Sequence, residues 1–145
     1  MAVASLSSGE SEAAETVVSN DYKVNAYDVE IDEMCTNILA LRQPTASDLR
    51  LVLAVIKTTA DLERIGDEAE KIGYLASKLA AMDRPADSYR ELEALGQHVA
   101  HMVRDAMNAF ARLDVDEAWE VVRQDERVDG EYEAIQRQCI AAMME

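Results

Sequence analysis

Apolar residues recur along this chain every three or four positions, which is the spacing of one helix face rather than the alternation of a strand. The pattern covers four stretches, at about 11–41, 46–79, 88–112 and 114–144. In the first stretch the apolar face is formed by Val17, Val18, Val24, Ile31, Ile38 and Leu41. The sequence therefore predicts an all-α protein with four helices.

The signals between these stretches are those that end and start helices. Pro44 ends the first helix, because the residue before a proline avoids the α region of the backbone dihedral angles. Ser88 with Glu91, and Asp114 with Glu117, have the spacing of a capping box, which satisfies free N–H groups at a helix start. We expect the third and fourth helices to begin there.

The chain contains an internal repeat, which appears when residues from Met1 onward are laid without gaps over those from Asp105 onward. Identical residues coincide at Ala2, Ala14, Val17, Val18, Asp21, Val24, Ile31 and Cys35 in the first copy and Ala106, Ala118, Val121, Val122, Asp125, Val128, Ile135 and Cys139 in the second. The natural unit is a three-helix, up-down-up bundle used twice. We predict that residues 1–82 hold the end of helix one with helices two and three of the first bundle. Residues 83–145 would hold helices one and two of the second, so that both bundles are truncated.

Composition and charge give more information about possible binding partners than about the fold. The formal net charge of −15 at pH 7 argues against nucleic acid and against an anionic membrane, both of which attract Lys and Arg. Cys35 and Cys139 lie in apolar helical surroundings without a CxxC pair, which is typical of core residues in a reducing cytoplasm. No run of about 20 apolar residues is present, so we expect no membrane insertion.

Acidic side chains on two predicted helices face each other across the turn at Pro44. Glu63 and Asp67 lie four residues apart on one helix face. Residues at equal distances from the turn meet in an antiparallel helix pair, which places Asp21 opposite Asp67 and Asn25 opposite Glu63. These four oxygen-bearing side chains would form a compact patch whose repulsion a cation relieves.

Hard oxygen ligands of this kind suit magnesium, manganese, calcium or iron. Asp125 and Asp129 repeat the spacing of Asp21 and Asn25 in the second copy. The alternative is a solvated helix face, on which two like charges need no cation. The residues alone leave both interpretations open.

Basic residues follow the second helix every seven positions, at Arg50, Lys57, Arg64, Lys71 and Lys78. Pairing with acids of the same helix, such as Asp67 with Lys71, explains such a row. Docking of an acidic partner is the alternative interpretation, and it would use Arg50, Lys57, Arg64 and Lys71.

Two segments resemble the signature of the PhoU family of bacterial phosphate-transport regulators. They are RQPTASDLR at 42–50 and LERIGD at 62–67, and the pair Asp125 and Asp129 around Val128 resembles the matching element of a second bundle. The resemblance implies two three-helix bundles that bind iron, magnesium, manganese or zinc. The implied metal residues are Asp21, Glu63 and Asp67 in the first bundle and Asp125 and Asp129 in the second. Asn25 departs from the pattern, since it replaces an acid.

The same resemblance implies a cytoplasmic, often dimeric adaptor. It would act with the ATPase subunit of the phosphate ABC transporter at the inner membrane and with the phosphate-sensing histidine kinase, and it would repress the phosphate-starvation response. A generic helical interaction module without a metal role is the alternative. We expect no enzyme of the di-iron type, because Leu95 stands where the Glu-x-x-His motif would need a Glu before His98. Missing helices would expose apolar stripes, so we expect a homo-oligomer, such as a dimer that exchanges helices.

Overall fold

A computed structural model describes residues 2–8, 11–80, 82 and 89–144 of this chain. This part forms helices and no strand, which confirms the all-α prediction. The helices are α1 (Ala2–Ser8), α2 (Ser11–Arg42), α3 (Ala46–Ala80), α4 (Arg90–Arg112) and α5 (Val115–Met143). The four long helices have nearly the predicted bounds, while Ser88, the predicted start of the third, lies outside the described residues. The chain divides into two compact units, Met1–Met82 and Asp83–Glu145.

Small residues bring α2 and α3 of the first unit close together. A Cβ atom added at Gly73 would lie 3.2 Å from the carbonyl oxygen of Ala14 and 3.2 Å from Cγ1 of Val17. Ala14 and Ala76 are each only 1% exposed. Since Gly66 meets Val24 in the same way, the contacts advance along α3 as they go back along α2, and the helices are antiparallel.

The short helix α1 packs against both α3 and α2. Its Ser5 is buried, and the Ser5 hydroxyl donates a hydrogen bond to the carbonyl oxygen of Ala2 at 2.7 Å. On α3, buried Thr59 donates in the same manner to the carbonyl oxygen of Val55 at 2.9 Å. Bonds of this kind satisfy a hydroxyl inside a tight helix contact without a partner from another helix.

The turn between α2 and α3 has backbone dihedral angles that right-handed helices do not allow. The helix α2 ends at Arg42, directly before Gln43 and Pro44. Gln43 has a φ of 47° and Ala46 a φ of 48°, both in the left-handed region. The predicted helix end at the proline is thus confirmed.

In the second unit, α4 and α5 form an antiparallel hairpin. Leu113 ends α4 in the left-handed conformation, with a φ of 55°. The N–H groups of Leu113 and Asp114 donate to the carbonyl oxygens of Phe110 at 3.1 Å and Ala109 at 2.9 Å. The Asp114 carboxylate accepts a hydrogen bond from the N–H of Glu117 at 3.0 Å, which confirms the predicted start of the last helix.

The two cysteines have different surroundings. Cys35 on α2 is buried, as expected, but Cys139 on α5 is exposed, so the prediction of a core position was wrong for Cys139. The physical reason is that, in the described part of the second unit, α5 packs against the single helix α4 and has no fully buried residue. None of the described helices is both long and apolar enough to cross a membrane.

Candidate functional site

The antiparallel contact of α2 with α3 brings Asp21 against the segment that contains Glu63 and Asp67. A Cβ atom added at Gly66 would lie 3.5 Å from Oδ1 of Asp21 and 3.1 Å from Cγ1 of Val24. The carboxylate of Asp21 therefore lies over the residue that directly precedes Asp67. The absence of a side chain at Gly66 makes room for this approach.

Asn25 interacts with Asp21 along the same helix. The Asn25 side-chain amide nitrogen donates a hydrogen bond to Oδ2 of Asp21 at 2.9 Å. An acid at position 25 would repel Asp21, whereas the Asn25 amide donates a hydrogen bond that stabilises the Asp21 carboxylate. Oδ2 of Asp21, one of the candidate ligand oxygens, thus already accepts a hydrogen bond from the protein.

The other two candidate carboxylates, on Glu63 and Asp67, are half-buried, and Asp21 is half-buried as well. Solvent therefore reaches all three groups and weakens their mutual repulsion. In the described ranges, no three His, Cys, Asp or Glu side chains lie close enough together to hold a metal ion. The metal site at these residues stays a prediction.

The second unit places its candidate acids, Asp125 and Asp129, on the surface of α5. Both side chains are exposed. Within the described second unit, α5 packs against α4, and no group of three His, Cys, Asp or Glu side chains that could hold a metal ion includes either aspartate. Asp125 and Asp129 therefore share α5 and do not belong to a larger set of candidate metal ligands among the described residues.

The basic row on α3 points away from α2 and consists of exposed side chains. Lys71 Nζ lies 2.7 Å from Oε1 of Glu68, so its main partner is Glu68 rather than the predicted Asp67. The hydrogen bond and the negative charge of Glu68 raise the pKa of Lys71, with smaller contributions from Asp67 and Glu70. Pairing within the helix therefore explains Lys71.

The remaining basic residues differ along the row. Arg64 lies 3.9 Å from Asp61, and the two side chains are 79% and 73% exposed, so this pair contributes little. Arg50 and Lys57 form no ion pair within residues 11–80. The first half of the row is therefore free to meet charges from another molecule.

Sequence reasoning missed one contact between helices of the second unit. Nδ1 of His98 lies 3.1 Å and 3.2 Å from the two carboxylate oxygens of Glu131, which joins α4 to α5. The two residues are far apart in sequence, and only the hairpin register brings them together. The hairpin pairs positions at equal distances from a point between Asp114 and Val115, a register that the sequence alone did not fix.

This chain is similar to members of a known protein family. The PhoU domain family matches residues 1–76 and 92–145. The phosphate-specific transport system accessory protein PhoU of Serratia marcescens is 49% identical over 145 residues, which cover 99% of this chain and 59% of that protein. The protein of the same name from Escherichia coli (strain K12) is 47% identical with the same coverage.

A solved structure has the same fold. The crystal structure of PhoU from Pseudomonas aeruginosa matches 99% of this chain and 68% of its own chain, with a TM-score of 0.94 and 42% sequence identity. The chain described above spans 59% of the length of the first two relatives. The likeness therefore covers this chain and only part of each full-length relative.

Proposed function

The chain belongs to the PhoU family, and we propose that it is an adaptor that lowers phosphate uptake and represses the phosphate-starvation response when phosphate is plentiful. The observation that carries this proposal is the match of 99% of the chain to proteins named as accessory to the phosphate-specific transport system. Its partners would be the ATPase subunit of the phosphate ABC transporter and the phosphate-sensing histidine kinase. The role is regulatory rather than enzymatic, and it is exerted in the cytoplasm, at the inner membrane through the transporter.

The surfaces of the long helices support an adaptor role. Arg50, Lys57, Arg64 and Lys71 lie in one exposed row on α3, on a chain whose net charge is −15. A basic row on an acidic protein favours an acidic partner surface, because charge complementarity speeds encounter and fixes orientation. Docking of an acidic surface on these four residues is part of the proposal.

Co-purification tests the adaptor role. The tagged chain is incubated with the purified transporter ATPase subunit and, separately, with the cytoplasmic part of the sensor kinase. A helical protein of similar size and charge serves as the control. We expect both partners to be retained by the chain and not by the control.

A generic interaction module is the second candidate, and the exposed acids favour it. Asp125 and Asp129 are exposed, and no three described His, Cys, Asp or Glu side chains lie close enough together to hold a metal ion. Equal retention of the two partners by the chain and by the control protein would support this second candidate over the adaptor.

Metal binding at the contact of α2 with α3 is a separate proposal, on which the adaptor role does not depend. Asp21, Glu63 and Asp67 have the oxygen chemistry for iron, magnesium or manganese, and less so for zinc. All three are accessible to solvent, and the proposal requires rotation of their side chains to bring them together. Asn25 would then have to present its amide oxygen instead of its nitrogen.

Elemental analysis of the purified chain tests this metal proposal. We expect less metal in the variant Glu63→Ala/Asp67→Ala than in the control Asp61→Ala/Glu68→Ala, which removes two exposed acids from the outer face of α3. Asn25→Asp should raise the metal content, because it adds a carboxylate beside Asp21. Equal metal content in all variants would show that the proposed site does not bind metal.

Self-association is the last part of the proposal. Large apolar side chains are exposed on several helices, among them Leu41 at 77%, Tyr74 at 57% and Trp119 at 58%. Apolar surface of this extent favours coverage by another chain, by simple docking or by exchange of helices. Light scattering at micromolar concentration should give the mass of a dimer or larger oligomer, and a strictly monomeric mass would contradict it.

A further inference from the structure

Within the described first unit, basic residues on the exposed face of α3 have ion-pair partners in the second half of the helix but not in the first. In its second half, Arg64 and Lys71 have the acidic neighbours Asp61 and Glu68 at ion-pair distance. In its first half, Arg50 and Lys57 have no such partner in the described first unit, and Leu53 between them is 45% exposed. We call Arg50, Leu53 and Lys57 the cationic patch. It combines two unpaired charges with an apolar centre.

The cationic patch lies in the part of the chain that departs most from the overall charge. Residues 36–60 carry three basic side chains and one acidic side chain, Asp48, although the whole chain has a net charge of −15. Other exposed apolar residues surround the patch, including Leu49 at 37% and Leu51 at 46%. An acidic surface with apolar side chains of its own is the chemistry that this patch complements.

The outer face of α5 has that chemistry. Positions four and three residues apart follow one line along this helix, and all of them are exposed. The line begins with Val115, Trp119 and Val122, which are 66%, 58% and 57% exposed. It continues with three acids, and together these six residues form what we call the acidic face: Val115, Trp119, Val122, Glu126, Asp129 and Glu133.

The charges of the two surfaces have the same spacing. Arg50 and Lys57 are seven residues apart, as are Glu126 and Glu133, and each pair spans about 10.5 Å along its helix axis. Antiparallel alignment of the helices sets Lys57 opposite Glu126 and Arg50 opposite Glu133. Glu133 has a weak partner in its own helix, Arg137 at 3.4 Å, while both of these side chains are more than half exposed.

We propose that the cationic patch docks on the acidic face of a second copy of this chain. Seven residues beyond Lys57, the same alignment brings Arg64 to Trp119, where a guanidinium group can stack over the indole ring. A symmetric dimer contains this contact twice, once in each direction. The inference rests on the self-association proposed above and assigns a surface to it.

Charge reversal followed by charge exchange tests the contact. Sedimentation velocity is measured on the wild-type chain, on Arg50→Glu/Lys57→Glu and on Glu126→Lys/Glu133→Lys. Each double variant alone should dimerise about tenfold more weakly or worse, because like charges then face each other. Mixing the two variants should restore the dimer, since every reversed patch meets a reversed face.

The control is Lys23→Glu/Arg90→Glu, which lowers the net charge by the same amount as Arg50→Glu/Lys57→Glu, at exposed positions outside both surfaces. It should leave the dimer intact, and circular dichroism of every variant should show unchanged helix content. A wild-type dimer that is indifferent to both reversals would overturn the docking surface and leave the self-association standing. A wild-type monomer would overturn both.

Vesicles that contain anionic lipid separate this contact from a membrane role. The proposal expects no binding of the wild-type chain to such vesicles beyond that of Arg50→Glu/Lys57→Glu. A monomeric wild-type chain that binds them through the cationic patch would assign the patch to a lipid surface and overturn the proposal.

Discussion

Replacing Gly73 by alanine tests the helix contact that places Asp21 against the segment containing Glu63 and Asp67. The added Cβ atom would lie 3.2 Å from the carbonyl oxygen of Ala14 and 3.2 Å and 3.3 Å from two side-chain carbons of Val17. The carbonyl oxygen belongs to the backbone of α2 and cannot turn away. Accommodation therefore requires the two helices to separate by a few tenths of an ångström along a tight contact.

The expected magnitude is the balance of two opposing terms. Alanine is more favourable than glycine in a helix interior by about 1 kcal/mol. Overpacking of a close contact costs about 1–3 kcal/mol. We expect Gly73→Ala to lower the free energy of unfolding of the first unit by about 1 kcal/mol.

Two other glycines serve as internal controls. No atom lies within 4 Å of a Cβ added at Gly130, so Gly130→Ala should stabilise the second unit by about 0.5–1 kcal/mol. At Gly66 the closest atom, 3.1 Å away, is a side-chain methyl of Val24 that can shift. Gly66→Ala should therefore fall between the other two.

Urea unfolding followed by circular dichroism measures these changes, and hydrogen exchange of α3 and α5 amides assigns them to a unit. The change in the free energy of unfolding should be most favourable for Gly130→Ala, intermediate for Gly66→Ala and least favourable for Gly73→Ala. A Gly73→Ala variant that is stabilised as much as Gly130→Ala would show that α2 and α3 do not approach each other as described. The placement of Asp21 over Gly66 would then lose its basis.

Further predictions concern the hairpin of the second unit and can be measured in the same unfolding experiments. Leu113→Gly should stabilise this unit by about 1 kcal/mol, because Leu113 is held in the left-handed conformation with a φ of 55°; a loss of stability would contradict the described cap. Asp114→Ala should cost about 1 kcal/mol, because it removes the hydrogen bond to the N–H of Glu117, whereas Asp116→Ala, next to it, should change stability much less. Exposed Cys139 should react with a thiol reagent in the folded chain and buried Cys35 should not; equal reaction of both would contradict their described burial.

The helices and their ends follow from local rules, which is why the sequence predicted them well. Pro44 and Asp114 act on their immediate neighbours through backbone geometry and one hydrogen bond. The antiparallel pairing of α2 with α3 also follows from a short turn. These features depend on residues that are close in sequence.

Side-chain burial and side-chain contacts depend on the packing between helices, and the sequence predicted them less well. Cys139 aligns with buried Cys35 in the repeat, yet Cys139 is exposed, because α5 packs against a single helix, α4, in the described part of the second unit. The partner of Lys71 was taken to be Asp67, but the side-chain conformations favour Glu68. The hydrogen bond from Asn25 to Asp21 was likewise not predicted, because both side chains were taken as candidate metal ligands.

The adaptor role is tested most directly in cells that lack their own accessory protein and carry a phosphate-starvation reporter. The chain is expressed there in high phosphate, and its accumulation is verified. The proposed function predicts that the chain lowers reporter expression relative to an empty vector, and that expression in low phosphate stays high. A reporter that remains fully active in high phosphate, with folded chain present, would contradict the proposed function.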